Sequence, residues 1–324
     1  MKMKSSMEEI ATRIKQAKRV AIFTHMRPDG DAFGSSLALK AALDFLNIEN
    51  VVCDESPLPS NLSFMDGLDQ IQKTLPEREW DLYIALDSAD ESRLGALADV
   101  FARARKQKID TINVDHHISN PGYAKYNYVR QCSANCMNVA NLIEALGVPF
   151  TKQIAEPLMT GLLTDSGNFS HDDVDEECFL LAAKLVKAGA DVRSLTYNLF
   201  KKQPKARAAL HAEVMSKIRY FHEDKFALIT IPLALMEKHG ADNGMTEGFV
   251  DFPLNVDTVE VAASIMEVKK GNFKISLRSK TYADVNKIAG VYGGGGHVRA
   301  AGCMLFGELE EVVDKLSYTV SQYL

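Results

Sequence analysis

Through the first half of the chain, short apolar runs alternate with longer stretches of helical spacing. "RVAIFTH" (19–25), "NVVC" (50–53), "WDLYIALDS" (80–88) and "DTINVDHH" (110–117) are short, apolar and bounded by polar residues, which predicts strands. Apolar residues recur at helical spacing in "AFGSSLALKAALDFL" (32–46), "SRLGALADVFARARK" (92–106) and "SANCMNVANLIEALG" (133–147). The last of these is predicted to open on Ser133 as its cap and to close on Gly147. "KQIAEPLMTGLLTDSG" (152–167) and "EECFLLAAKLVKAGA" (176–190) continue the helical pattern. Strand and helix in alternation predict a parallel sheet with helices on both faces.

The pattern changes beyond a helical connector at 191–220. "KFALITI", "VEVAASIMEVKKGNFKISLRS" and "AAGCMLF" predict strands, the second folded into a hairpin at "KKGN". "DVNKIAGVY" and "ELEEVVDKLSYTVSQYL" predict helices. The expected architecture is α/β: a parallel-sheet domain over 1–190, the connector, and a smaller mixed-sheet domain over 221–324. There is no internal repeat and no low-complexity segment.

Composition narrows the class. The 324 residues are 46% hydrophobic and 25% charged, as in ordinary globular proteins. No apolar run approaches the roughly 20 residues that span a membrane. The opening "MKMKSSMEEIATRIKQ" has no apolar signal-peptide core, so a cytoplasmic protein is expected. The five cysteines (53, 132, 136, 178, 303) form no C-x-x-C pair, and they read as small buried residues in a reducing compartment. A net charge of −6 argues against a protein that coats long duplex nucleic acid. Nothing in the pattern speaks for or against a homodimer.

The candidate chemistry lies where strands end. "IFTH" ends in His25, with Asp29 and Asp31 following; "YIALD" ends in Asp87; "INVDHH" ends in Asp115, His116 and His117. Ligand crevices of open parallel sheets lie at the carboxyl ends of the strands. A further acid, Asp165 in "LLTDSGNF", could reach the same crevice. Imidazole and carboxylates without thiolate suit a moderately hard divalent ion such as manganese, with magnesium or cobalt tolerated. So many carboxylates in one crevice repel one another unless cations neutralise them. Two ions sharing a bridging carboxylate would use the whole set, a standard device for cleaving phosphoesters. Each piece has a plainer alternative: "PDGD" is a good turn, Asp87 could cap a helix, and the histidines could be packing residues.

At the other end, "YGGGGHVRAAG" (292–302) places Gly293, Gly294, Gly295 and Gly296 before His297. Such a run can leave backbone amides free to approach a phosphate, or form a flexible loop. From 260 to 300 there are seven Lys or Arg against three Asp or Glu, a local +4. Arg278 is suited to grip a phosphate bidentately, or is a solvated strand residue.

"THMRPDGDA", "ALDSAD", "NVDHH" and "LLTDSGNF", in this order, resemble the four motifs of the DHH phosphoesterase family, and "SLRSK", "DVNKIA" and "GGGGHVRAAG" resemble the DHH-associated C-terminal domain. The resemblance covers nearly the whole chain. It implies that His25, Asp29 and Asp87 hold one manganese ion. It implies that Asp31, Asp87, His116 and Asp165 hold the other, with Asp87 bridging. Asp115 would orient a ligand or fix the turn, and His117 would face the scissile phosphate. Arg278, Gly293–Gly296 and His297 would bind substrate. Arg27 reads as a solvated turn residue, Phe169 and Tyr292 as packing residues able to stack a base, and Ser166 and Asn168 as neighbours of Asp165.

The expected function is a two-metal phosphoesterase in which hydroxide held between the ions attacks phosphorus in line. The chain is most similar to the bifunctional oligoribonuclease and pAp phosphatase group. That implies short single-stranded RNA of a few residues and 3′-phosphoadenosine 5′-phosphate (pAp) as substrates, clamped between the two domains. The alternatives are a family II inorganic pyrophosphatase or polyphosphatase, a linear or cyclic dinucleotide phosphodiesterase, and an inactive nucleotide-binding regulator.

Overall fold

The computed structural model describes residues 5–324. The chain forms two compact units, Met1–Lys202 and Gln203–Leu324. The break falls inside the segment expected as a connector.

The first unit contains α1 (Met7–Gln16), β1 (Arg19–Phe23), α2 (Gly30–Phe45), β2 (Glu49–Cys53), β3 (Leu82–Leu86), α3 (Leu97–Lys106), β4 (Asp110–Asp115), β5 (Tyr126–Val129), α4 (Asn135–Ala145), α5 (Lys152–Asp165), α6 (Glu176–Lys187) and α7 (Val192–Thr196). Its sheet has the order β2-β1-β3-β4-β5, and every neighbouring pair is parallel. Alternate strand residues face opposite ways. Val20 and Ile22 of β1 pack with Ile10, Leu39 and Leu142 from α1, α2 and α4. Ala21 and Phe23 pack on the other face with Leu97 and Phe101 of α3. Both faces are therefore covered, which is why all five residues of β3 are buried.

Three local expectations need correction. The helix expected over 92–106 breaks at Gly95 (φ 62) into a 3₁₀ turn, Glu91–Leu94, and α3. Ser133 does not cap α4: the cap position is Ala134, which offers no side-chain acceptor, and the Ser133 hydroxyl donates to Asp173 O instead. The connector is not helical to its end, because its last residues enter a strand at Arg219.

The second unit contains α8 (Lys205–Met215), β6 (Arg219–Phe221), β7 (Phe226–Ile231), α9 (Leu233–His239), α10 (Asp251–Leu254), β8 (Val261–Lys269), β9 (Asn272–Ser279), α11 (Val285–Gly290), β10 (Gly295–His297), β11 (Ala300–Phe306) and α12 (Leu309–Ser321). Its sheet runs β10-β11-β9-β8-β7-β6, antiparallel except between β7 and β8. One face packs Ile275, Leu277 and Cys303 on α11 and α12. The other is covered over β7 and β8 by α8 and α9. No helix among the described residues is long and apolar enough to cross a membrane.

Candidate metal centre

β1, β3 and β4 lie side by side, so the ligand-type residues at their carboxyl ends converge. The chain leaves β1 for β2 on one side and returns to β3 on the other, which opens a crevice at this point of the sheet. Thr24 Oγ1 donates to Leu86 O at 3.2 Å and ties the two strand ends together.

Each ligand-type side chain is oriented by a neighbour. Asp29 is the N-cap of α2: its Oδ1 accepts from the Asp31 and Ala32 amides at 3.0 Å, leaving Oδ2 to face His25 Nε2 at 3.8 Å. Asp31 is fully buried, and its two oxygens accept the Asn135 and Cys136 amides at the start of α4. The acid of the first motif thus takes the capping place assigned to Ser133, from far away in sequence. Asp87 sits at φ 52, a left-handed conformation that costs a non-glycine residue about 1–3 kcal/mol. Asp165 is the last residue of α5, so its carboxyl meets the negative end of that helix.

The histidine tautomers follow from their partners, because a carbonyl can only accept. His25 Nδ1 donates to Met26 O and His116 Nδ1 to Cys132 O, both at 2.9 Å. His117 Nδ1 donates to Asp115 Oδ1 at 2.8 Å. Nε2 is therefore the free atom on each ring. His25 Nε2 lies 3.6 Å from Asp87 Oδ2, and His116 Nε2 lies 3.4 Å from Asp87 Oδ1 and 3.5 Å from Asp165 Oδ2.

Three sets of candidate donor atoms each fall within 4.8 Å: His25, Asp29 and Asp87; Asp31, His116 and Asp165; and Asp87, His116 and His117. In the third, His117 Nδ1 lies 3.7 Å from Asp87 Oδ1 but is already committed to Asp115. Asp87 and His116 each occur in two sets.

The residues fit divalent metal. Asp87 Oδ1 is buried with no hydrogen-bond partner. Donors bound at about 2.1 Å around one octahedral ion stand about 3 Å apart, close to the spacings found. The charges agree. Burial first, and then the Asp87 charge, push Asp31 up to about 7. Burial and the charges of Asp31, Asp87 and Asp29 push Asp165 up to about 9. Burial would lower His116, but Asp87 and Asp31 outweigh it and raise the ring to about 10. Burial would likewise raise Asp87, yet His116 and His25 hold it at about 2. The site holds protons where a cation would serve better.

Sequence reasoning misses the supporting network. Asn120 donates to Asp115 Oδ2 at 2.6 Å and to Asn113 Oδ1 at 2.8 Å, and Asn113 in turn bonds the Tyr123 hydroxyl at 3.1 Å. Ser56 Oγ accepts the amide of Arg27, whose φ is 56. The "HISNPG" turn after His116 was the only signal that pointed toward Asn120.

Phe169 stacks on Phe179 at 5.2 Å, and the Ser166 hydroxyl accepts its amide. Asn168 is left-handed at φ 56. Arg278, the glycines and His297 lie in the second unit. Arg278 is opposite Ala300, and Ala300 opposite His297, so the two form a row across three strands. Arg278 Nε lies 3.4 Å from Asp251 Oδ1. The glycine amides are largely committed, contrary to expectation. Gly293 N donates to Gly290 O, Gly294 N to Ala289 O, and Gly296 N to Asn286 Oδ1. The glycines serve close packing instead: a Cβ on Gly294 would strike Gly302 O, and one on Gly296 would lie 2.7 Å from Ala301 Cα. The Tyr292 hydroxyl contacts Lys315 O and Thr319 Oγ1, an anchored packing position. All five cysteines are free, four of them buried.

The chain is similar to known proteins over most of its length. The N-terminal domain model of the DHH family matches residues 19–162, and the DHHA1 domain model matches 224–324. The bifunctional oligoribonuclease and PAP phosphatase NrnA of Thermus thermophilus is 32% identical over 313 residues, covering 94% of this chain and 90% of that protein. The probable bifunctional oligoribonuclease and PAP phosphatase NrnA of Streptococcus mutans is 26% identical over 324 residues, covering 96% and 98%. The crystal structure of an exopolyphosphatase-related protein from Bacteroides fragilis superposes with a TM-score of 0.83 at 26% identity, covering 98% of this chain and 96% of that one.

Proposed function

The chain belongs to the DHH family of phosphoesterases, and from that premise we propose that it hydrolyses short oligoribonucleotides and pAp with two divalent metal ions, manganese foremost. The observation that carries the metal half is the Asp87 carboxylate: central to the donor atoms, buried, and with one oxygen unpartnered. His25, Asp29 and Asp87 would hold one ion. Asp31, Asp87, His116 and Asp165 would hold the other, with Asp87 shared. Bound there, the ions would supply Lewis acidity and an activated water.

The chain's own residues do the rest. Hydrogen bonds from Nδ1 to the Met26 and Cys132 carbonyls keep His25 and His116 in the tautomer that presents Nε2. Asp115 fixes the His117 ring, leaving its Nε2 to meet the phosphoryl group. Arg278 and His297, beside Gly293–Gly296, hold the remainder of the nucleotide. The closely packed glycines would hold the shape of the loop beside it rather than offer free amides. The domains act as a DHH catalytic unit over 1–190, a connector over 191–220 and a substrate-binding unit over 221–324.

The likeness to relatives named as oligoribonuclease and pAp phosphatases supports nucleotides as substrates. The likeness to the exopolyphosphatase-related protein of Bacteroides fragilis favours a second reading, hydrolysis of polyphosphate or pyrophosphate. Turnover of pAp, a 5′-phosphorylated diribonucleotide, a five-residue RNA and pyrophosphate, measured side by side with manganese, separates the two. Release from the nucleotides and not from pyrophosphate is expected. Turnover of pyrophosphate alone would overturn the nucleotide reading.

A further inference from the structure

The sheet of the second unit leaves part of one face open. On β9 and β11 the inward residues Ile275, Leu277, Ala301 and Cys303 are buried against α11 and α12. The outward residues of the same strands are accessible. In register they form rows: Arg278 with Ala300, Ser276 with Gly302, Lys274 with Met304, Asn272 with Phe306. The floor between the first and third rows is Ser276 and Gly302, so a flat group can lie against the backbone. At its far end Phe306 is 62% exposed and Met304 40%. Lys274 pairs with no acid among the described residues, whereas Arg278 has Asp251.

A large aromatic beside an unneutralised lysine, on an open sheet face, is what single-stranded RNA uses: bases stack on exposed rings while cations track phosphates. The face continues the row that holds Arg278 and His297, and it is cationic in a chain whose net charge is −6. Lys274 stands four residues from Arg278, about 13 Å along the strand. That is room for on the order of three to four stacked nucleotides at about 3.4 Å each.

We propose that the outer face of β9 and β11 is a distal subsite for a short single-stranded oligoribonucleotide, with Phe306 stacking a base and Lys274 contacting a phosphate beyond the one at Arg278. This rests on the oligoribonuclease reading. It assigns chain-length preference to residues of the second unit that are not among the candidate metal ligands. pAp, which ends at the first nucleotide, does not reach them.

The test uses the full-length, manganese-loaded protein and its Phe306→Ala, Lys274→Ala and Lys274→Arg variants. kcat/KM is measured for pAp and a five-residue RNA, and binding of the labelled RNA is followed by anisotropy at several salt concentrations. Each alanine variant should lose about tenfold on the RNA, carried by KM, and nothing on pAp. Lys274→Ala should lower the salt slope of RNA binding by about one, and Lys274→Arg should restore it. Equal loss on both substrates, or no loss on either, overturns the subsite. So does a variant that changes the sedimentation coefficient while length preference persists, because the face would then join copies of this chain. Failure of the wild-type protein to cleave RNA at all would instead refute the oligoribonuclease reading.

Discussion

Gly161→Ala tests whether the packing of α2 on α5 sets the metal site. A Cβ at 161 would stand 2.7 Å from Asp31 Oδ1 and 3.0 Å from Asp31 Cα, and it would also strike Cys136 Sγ. None of these can yield cheaply. The Asp31 carboxylate is pinned by the first amides of α4, and Cys136 is fully buried. The same interface already admits no Cβ at Gly34, which would meet Gly161 N at 3.0 Å. Alanine would gain about 1 kcal/mol of helix propensity. Overpacking costs about 1–3 kcal/mol, and more where backbone must move. The net is a loss of up to about 2 kcal/mol, a fall in Tm of up to about 8 °C for a unit of this size. Displacing Asp31 from His116 and Asp165 should also weaken manganese binding. Calorimetry of the metal-free protein and a manganese titration read the two effects. Gly290→Ala, with nothing within 4 Å of the new Cβ, is the control and should hold or raise Tm. If Gly161→Ala melts at or above the wild-type temperature and binds manganese normally, the close approach is not what places Asp31.

Three further outcomes are expected. Asp87→Ala should abolish turnover and leave neither ion bound, as read by metal analysis after desalting; two ions retained would sink the shared-ligand assignment. Arg278→Ala should raise KM for pAp and RNA with metal content unchanged, and unaltered affinity and turnover would remove Arg278 from substrate binding. Asp31, Asp165 and His116 all titrate above their ordinary values, so their stabilisation is complete at low pH and is lost as pH rises through about 7, 9 and 10. Metal-free Tm should therefore fall between pH 6 and 9, and the Tm gained by adding manganese should grow over the same range. A metal-free Tm that rises across this range would contradict the electrostatic reading.

What was legible in the sequence was local. His25, Asp87 and His116 are visible because β1, β3 and β4 are short, strongly apolar runs that stop abruptly at polar residues. Helix α6 carries its spacing openly, with Cys178, Leu181 and Leu185 on its buried side, whereas α2 is buried on nearly every side and is read from its apolar content and length. β5, "YNYV", alternates polar with aromatic residues and is only half buried, so it lacks the signal of a central parallel strand. β10 is "GGH", and glycine carries no strand preference at all; its pairing with β11 is decided by what Gly294 and Gly296 permit to pass beneath them.

The capping of α4 shows why the rest was hidden. Ser133 has the right residue type beside the right helix, and local rules select it. A carboxylate at Asp31 is the stronger acceptor for two adjacent amides, and the α2–α5 contact carries it there. The same pair of bonds fixes a candidate metal ligand, so one arrangement satisfies a helix end and aims an acid at the crevice. Asp29 does likewise at the start of α2, with one oxygen on the helix and the other on the site. Two of the acids are thus held by the amides of helix N-termini. That offsets part of the repulsion among them before any cation arrives, and it orients their oxygens without a dedicated scaffold. This coupling between helix ends and ligand geometry arises only once the sheet order places β1, β3 and β4 together, and no single motif encodes it.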